Sequence, residues 1–216
     1  MGWFSSRGSG PRKEQGRTQA TGSTAVAEPD VHKSLALSAL FEEIRKRKVQ
    51  VLDLGSAVGS NVEFLSQYGC KLFIEDLYAA LSSRASSEEG ELAGPEFFAE
   101  FLNLPEDTHF DVILAWDLFN YMHRKELPLL GEQLRRYSRP GTLLLALVSY
   151  HKQIPAQPYR FKIKDEQHLV YERRTAAERP SPRVVPAEVT NLLKGFRVDR
   201  SFLLKHGFQE YLLVRE

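Results

Sequence analysis

The chain has 216 residues, 42% of them hydrophobic, and its 29 basic and 28 acidic residues leave a formal net charge of +1. That length suits one core, and the near-zero charge creates no global field to draw nucleic acid or an acidic membrane. Cys70 is the only cysteine, which excludes an internal disulfide and a Cys-x-x-Cys zinc site, and no apolar run approaches the roughly 18 residues of a membrane span.

Residues 1–29 read as a disordered tail, because Ser5 to Glu28 is rich in Ser, Gly, Thr, Arg and Gln and cannot repay its ordering entropy. Gly2 and Ser6 fit an N-terminal acylation pattern, and Trp3 and Phe4 with Arg7, Arg12, Lys13 and Arg17 offer a membrane or partner contact, but an unstructured start accounts for the same residues. The tail has no long apolar segment, so the expected compartment is the cytoplasm. Residues 30–216 then form the folded domain, with 149–185 as an insertion that covers the substrate.

Asp30 is the expected N-cap of a helix whose apolar face is Leu35, Leu37, Leu40, Phe41 and Ile44, and Arg45 to Lys48 suits its C-terminus. A strand follows over Val49 to Leu54 and breaks into Gly55-Ser56-Ala57-Val58-Gly59, small residues that let backbone approach a ligand at the start of the helix Ser60 to Tyr68. Gly69 reads as a C-cap, and Lys71 to Glu75 as a second strand. It ends in Glu75 and Asp76, about twenty residues beyond the loop, where ribose hydroxyls want an acceptor and two acids compete for the role. Leu77 to Arg84 continues at helical spacing, and Pro95 to Leu102 is either a short helix opened by proline or a strand.

A strand over Phe110 to Trp116 exits into Asp117-Leu118-Phe119-Asn120, with its C-terminal end facing the ligand crevice. A helix from Pro128 buries Leu129, Leu130 and Leu134, and Pro140-Gly141 turns the chain into a strand over Thr142 to Val148. Tyr159 to Lys164 and His168 to Arg173 form a hairpin around Asp165-Glu166. Val189, Leu192 and Leu193 mark a short helix closed by Gly195, and Phe196 to Leu204 with Phe208 to Val214 make a terminal hairpin.

The loop departs from the dinucleotide pattern G-x-G-x-x-G at Ala57 and Ser60, which counts against a nicotinamide-dependent oxidoreductase. Together, the Asp53-to-Gly59 loop, the acid at Asp76, the Leu104-to-Leu114 approach to a strand and Arg139-Pro140-Gly141 resemble the class I S-adenosylmethionine-dependent methyltransferases. The resemblance covers roughly residues 31–216, with order and spacing as its warrant. It implies an α/β, Rossmann-like, doubly wound sheet that is mostly parallel with an antiparallel C-terminal strand.

It also implies S-adenosyl-L-methionine as cofactor, held by Asp53, Gly55, Ser56, Ala57, Gly59, Glu75 or Asp76, and by Glu100, with Asn103 behind it, as the acid near the end of a third strand. Asp117 with Asp53 balances the cationic methionine end, and Trp116 offers an aromatic face or packs in the strand. Methyl transfer from a sulfonium needs a general base only when the acceptor loses a proton, and Tyr121, His123, Tyr150 and His151 lie where such a base belongs, with His151 first by position.

The other histidines lack metal-ligand spacing, so no metal is expected. The interleaved Tyr159, Arg160, Phe161, Lys162 and Lys164, followed by Tyr171, Arg173 and Arg174, suit either a nucleic-acid surface or a half-buried strand, and neighbouring acids dilute their charge. The unidentified acceptor is therefore expected to be a small molecule or a protein side chain rather than nucleic acid. A binding module with this fold and no turnover is the competing expectation.

Overall fold

The computed structural model describes residues 30–85, 92–181, 184 and 186–216, so the expectations for residues 1–29 lie outside the described residues. In chain order the elements are β1 (Asp30–Lys33), α1 (Leu35–Ile44), β2 (Gln50–Asp53), α2 (Gly59–Ser66), β3 (Lys71–Ile74), α3 (Leu77–Ala85) and α4 (Pro95–Phe101). They continue as β4 (Phe110–Trp116), a 3-10 turn at Leu118–Asn120, α5 (Leu127–Arg136), β5 (Ser138–Ser149), β6 (Gln153–Pro155), β7 (Arg160–Asp165) and β8 (His168–Glu172). The last are β9 (Glu178–Pro180), α6 (Pro186–Leu192), β10 (Phe196–Leu203) and β11 (Phe208–Arg215).

Six strands form the main sheet in the order β10-β11-β5-β4-β2-β3. The β3, β2, β4 and β5 pairings are parallel, whereas β11 runs antiparallel to both β5 and β10. Side chains alternate between two faces: Ile113, Leu144 and Ala146 meet Leu130, Leu134 and Phe98 on one, and Val112, Leu114 and Leu145 meet Leu37, Leu40 and Phe41 on the other. Helices on both faces of a mostly parallel sheet make the expected doubly wound α/β fold.

Two local expectations change. Asp30 does not cap a helix, because Asp30 to Lys33 pairs antiparallel with β8 and widens the β7–β8 hairpin to a three-stranded sheet. Ser34 is the cap instead, its Oγ accepting from the Leu37 N–H at 3.0 Å. The open choice at Pro95 to Leu102 resolves to helix α4, with proline in its first turn and Phe98 and Leu102 buried one turn apart. No strand stands where the family's third was expected, and β3 is the edge of the sheet.

Candidate functional site

β2 buries Val51 and Leu52 and delivers Asp53 to the C-terminal end of the sheet with only 3% of its surface exposed. Its Oδ1 accepts from the Gly55 N–H at 2.9 Å and from Trp116 Nε1 at 2.6 Å. Gly55 is required here, because a Cβ would sit 2.7 Å from Trp116 Cδ1 and 3.2 Å from Asp53 Oδ1. At the end of β4 the pairing with β5 shifts register between Leu114 and Trp116, and Trp116 takes φ +49°. This bulge and left-handed backbone cost on the order of 1 kcal/mol and turn the indole over Gly55. On its far side the indole stacks on Phe161, with ring centroids 5.4 Å apart and planes 5° from parallel.

The next residue, Asp117, is also buried, and its Oδ2 accepts from the Tyr159 N–H at 3.1 Å. Asn120 holds this turn to the end of β5: its Nδ2 donates to the Asp117 and Leu147 carbonyls, and its Oδ1 accepts from the Ser149 N–H. Asn61, buried on α2, does the same for the insertion. Its Nδ2 donates to the Phe161 carbonyl at 2.9 Å and its Oδ1 accepts from the Ile163 N–H at 2.8 Å, which seats β7 over the loop. Tyr78 and Tyr121 donate their hydroxyls to the carbonyls of Ala156 and Gln157, so the segment between β6 and β7 is pinned at both residues.

A cavity with about 430 Å³ of empty space, part of it open to solvent, lies beneath this roof. Gly55, Ser56 and Asp76 line one side, Trp116 and Asp117 the floor, and Tyr159, Phe161 and Arg174 the cover. Burial raises the Asp53 carboxyl to about 6, against the bonds from Gly55 and Trp116 that lower it, and burial raises Asp117 to about 7. Neither carboxyl meets a Lys, Arg or His in an ion pair among the described residues. Two buried acids without a cationic partner fit a ligand that brings positive charge of its own. Asp76 sits at the start of α3, where its Oδ1 accepts from the Ala79 N–H at 2.9 Å, so its position on the cavity wall is fixed.

Of the residues expected to hold a cofactor, Gly55, Ser56, Asp76 and Asp117 line this cavity, and Asp53 is joined to it through its bonds to Gly55 and Trp116. Of the two competing acids, only Asp76 lines the cavity; Glu75 does not. Ala57 and Gly59 are exposed on the loop and at the first turn of α2, outside the lining. Glu100 does not join the site: it is exposed on α4, because the segment that was to carry it as a strand is a helix packed through Phe98 and Leu102. Tyr121 commits its hydroxyl to the Gln157 carbonyl, and burial pushes that hydroxyl's acidity further from neutrality. His151 lies outside this cavity and lines a different one.

Sequence reasoning missed Asn61, Asn120 and Tyr78, and it named Arg174 only within the aromatic and basic run, not at this cavity. Among them only Asn61 left a trace, as a polar residue on the face of α2 that also carries the buried Leu65.

Residues 30–179 match the model of a family described as a methyltransferase domain. The chain belongs to this methyltransferase family, and methyl transfer is the class of its reaction. No curated protein matches the chain. Among solved structures, the PH0226 protein of Pyrococcus horikoshii OT3 shares the fold at 18% identity and a TM-score of 0.51, with 84% of this chain and 88% of that one covered. The Burkholderia thailandensis 1,6-didemethyltoxoflavin-N1-methyltransferase, solved with 1,6-didemethyltoxoflavin and S-adenosylhomocysteine, is 17% identical with a TM-score of 0.47 over 84% of this chain and 78% of its own.

Among the described residues, no helix is long and apolar enough to cross a membrane, and no group of His, Cys, Asp and Glu is arranged to hold a metal ion.

Proposed function

We propose that the cavity at the ends of β2, β3 and β4 binds S-adenosylmethionine and that the chain transfers its methyl group to a small molecule or a protein side chain. The observation that carries this reading is the pair of buried carboxyls with no basic side chain paired to either: Asp117 lines the cavity together with Asp76, and Asp53 is bonded to the lining residues Gly55 and Trp116. When bound, the cofactor supplies a methyl group already activated by a positive sulfur, so the chain has mainly to position and to exclude water.

In this reading Asp76 accepts from the ribose hydroxyls, its free oxygen being available while Oδ1 is held by the Ala79 N–H. The glycine at 55 admits backbone close to the amino-acid end, and Asp53 and Asp117 stabilise positive charge there. Trp116, fixed by Asp53 and Phe161, presents an indole face beside that charge. Phe161, seated by Asn61, and Tyr159, held by Asp117, cover the site.

The test is equilibrium binding of S-adenosylmethionine to the wild type, Asp76→Ala and Glu75→Ala. Loss of the ribose acceptor weakens binding by about 1–3 kcal/mol, with the Glu75 variant unchanged. Full affinity in Asp76→Ala contradicts the assignment of Asp76, and absence of binding in the wild type contradicts the function.

A further inference from the structure

A second cavity lies beside the first, behind the C-terminal end of β5. It is lined by Ser149, His151, Ile154, Pro155 and Phe208, with Arg173 and Glu178 at one side, and has about 480 Å³ of empty space including solvent. Tyr159 lines both cavities, and its N–H is the group bonded to Asp117, so the two spaces adjoin at this residue.

His151 is held here in one tautomer. Its Nε2 lies 2.9 Å from the His206 carbonyl oxygen, which only accepts, so a neutral imidazole carries its proton on Nε2. The ring rests against Gly207, where φ is +82° and any Cβ would collide with it. Nδ1 is left with its lone pair and has no partner among the described residues.

The charges in this cavity are spent on each other. Arg173 donates to the Glu178 carboxylate at 3.0 Å and to the carbonyls of Thr175 and Ala176 at 2.8 and 3.3 Å. An anionic or cationic ligand therefore finds no unpaired counter-charge, whereas Ile154, Pro155, Phe208 and Tyr159 offer apolar contacts to a ring among the polar Ser149, His151 and Gln153. We infer that this cavity is the acceptor subsite. It takes a neutral, ring-sized compound bearing an O–H or N–H, and His151 Nδ1 receives the proton that the acceptor gives up as it takes the methyl group. The inference rests on the transferase reading above, which places the methyl donor in the adjoining cavity that Tyr159 also lines, and the acceptor reaches the methyl carbon where the two spaces meet.

Three probes with one ring and different charge separate the outcomes: 4-chlorophenol, 4-chlorobenzoate and 4-chlorobenzylammonium. Each is titrated into histidine-labelled protein, with and without S-adenosylhomocysteine, while the His151 imidazole resonances are followed. The phenol gives a saturable shift at His151 and binds at least tenfold more tightly than either ion. His151→Gln weakens the phenol severalfold while S-adenosylhomocysteine affinity, measured in the same samples, reports the intact fold. Equal binding of the three probes, no shift at His151, or undiminished phenol binding in the variant overturns the subsite. Phenol binding without any S-adenosylhomocysteine binding overturns the transferase reading alone.

Discussion

Replacing Asp53 by asparagine is expected to stabilise the protein above neutral pH while weakening its ligand. The buried carboxyl titrates near 6 rather than at its ordinary 3.8, with burial as the leading cause. A difference of that size carries about 3 kcal/mol of cost when the group is ionised. The folded value lies above the unfolded one, so this group's penalty is absent below pH 3.8 and grows to its full size as pH rises through 6. Asparagine keeps an Oδ1 that accepts from the Gly55 N–H and Trp116 Nε1, and it carries no charge to desolvate. In urea denaturation, Asp53→Asn therefore equals the wild type within about 1 kcal/mol near pH 4 and exceeds it by about 2–3 kcal/mol at pH 8. If the proposed site holds S-adenosylmethionine, its binding falls in the same variant, since one of the two buried acids beside the site is gone. A variant less stable than the wild type at pH 8, or one whose advantage does not change with pH, refutes the reasoning.

Gly55→Ala forces the Trp116 indole aside and costs about 1–3 kcal/mol by overpacking; near-ultraviolet circular dichroism registers the moved indole. Asn61→Leu strips the Phe161 carbonyl and the Ile163 N–H of their partners at once, and about 2–4 kcal/mol of stability is lost, with faster amide exchange at Ile163 as the local readout. His206 is lowered from 6.5 to about 4 by burial and then by the stacked His32, whose ring centroid lies 3.8 Å away. Its folded value is depressed, so the stability it permits is complete above pH 6.5 and is lost as pH falls toward 4. His206→Phe flattens that part of the stability profile, and a wild type with the same profile as the variant rules the histidine out.

The parts legible in the sequence are those that local pattern determines. Phe110 to Trp116 is an apolar run between turn residues, and the structure gives a strand with those bounds. The Asp53–Gly55 turn was readable because small residues at a strand end have few other uses, and because Asp53 and Gly55 are two residues apart. Partners distant in sequence were not readable. Asn61 bonds residues about a hundred positions away, and Phe161 stacks on Trp116 only after a bulge that no residue type announces. Glu100 failed for a related reason. Its placement assumed a strand, and the helical spacing of Phe98 and Leu102 decided the segment through packing that only the assembled core supplies.

Burial raises the Asp53 carboxyl to about 6 and the Asp117 carboxyl to about 7, so the pair retains part of a proton at pH 6.5. A sulfonium bound beside them displaces that proton, whereas the neutral sulfide of S-adenosylhomocysteine displaces less of it. The decisive measurement is calorimetric titration of the protein with both ligands at pH 6.5, in two buffers of different ionisation enthalpy. The account predicts micromolar-range binding, about −8 kcal/mol, with more protons released by S-adenosylmethionine than by its product. No binding of either ligand, or equal proton release by the two, contradicts it.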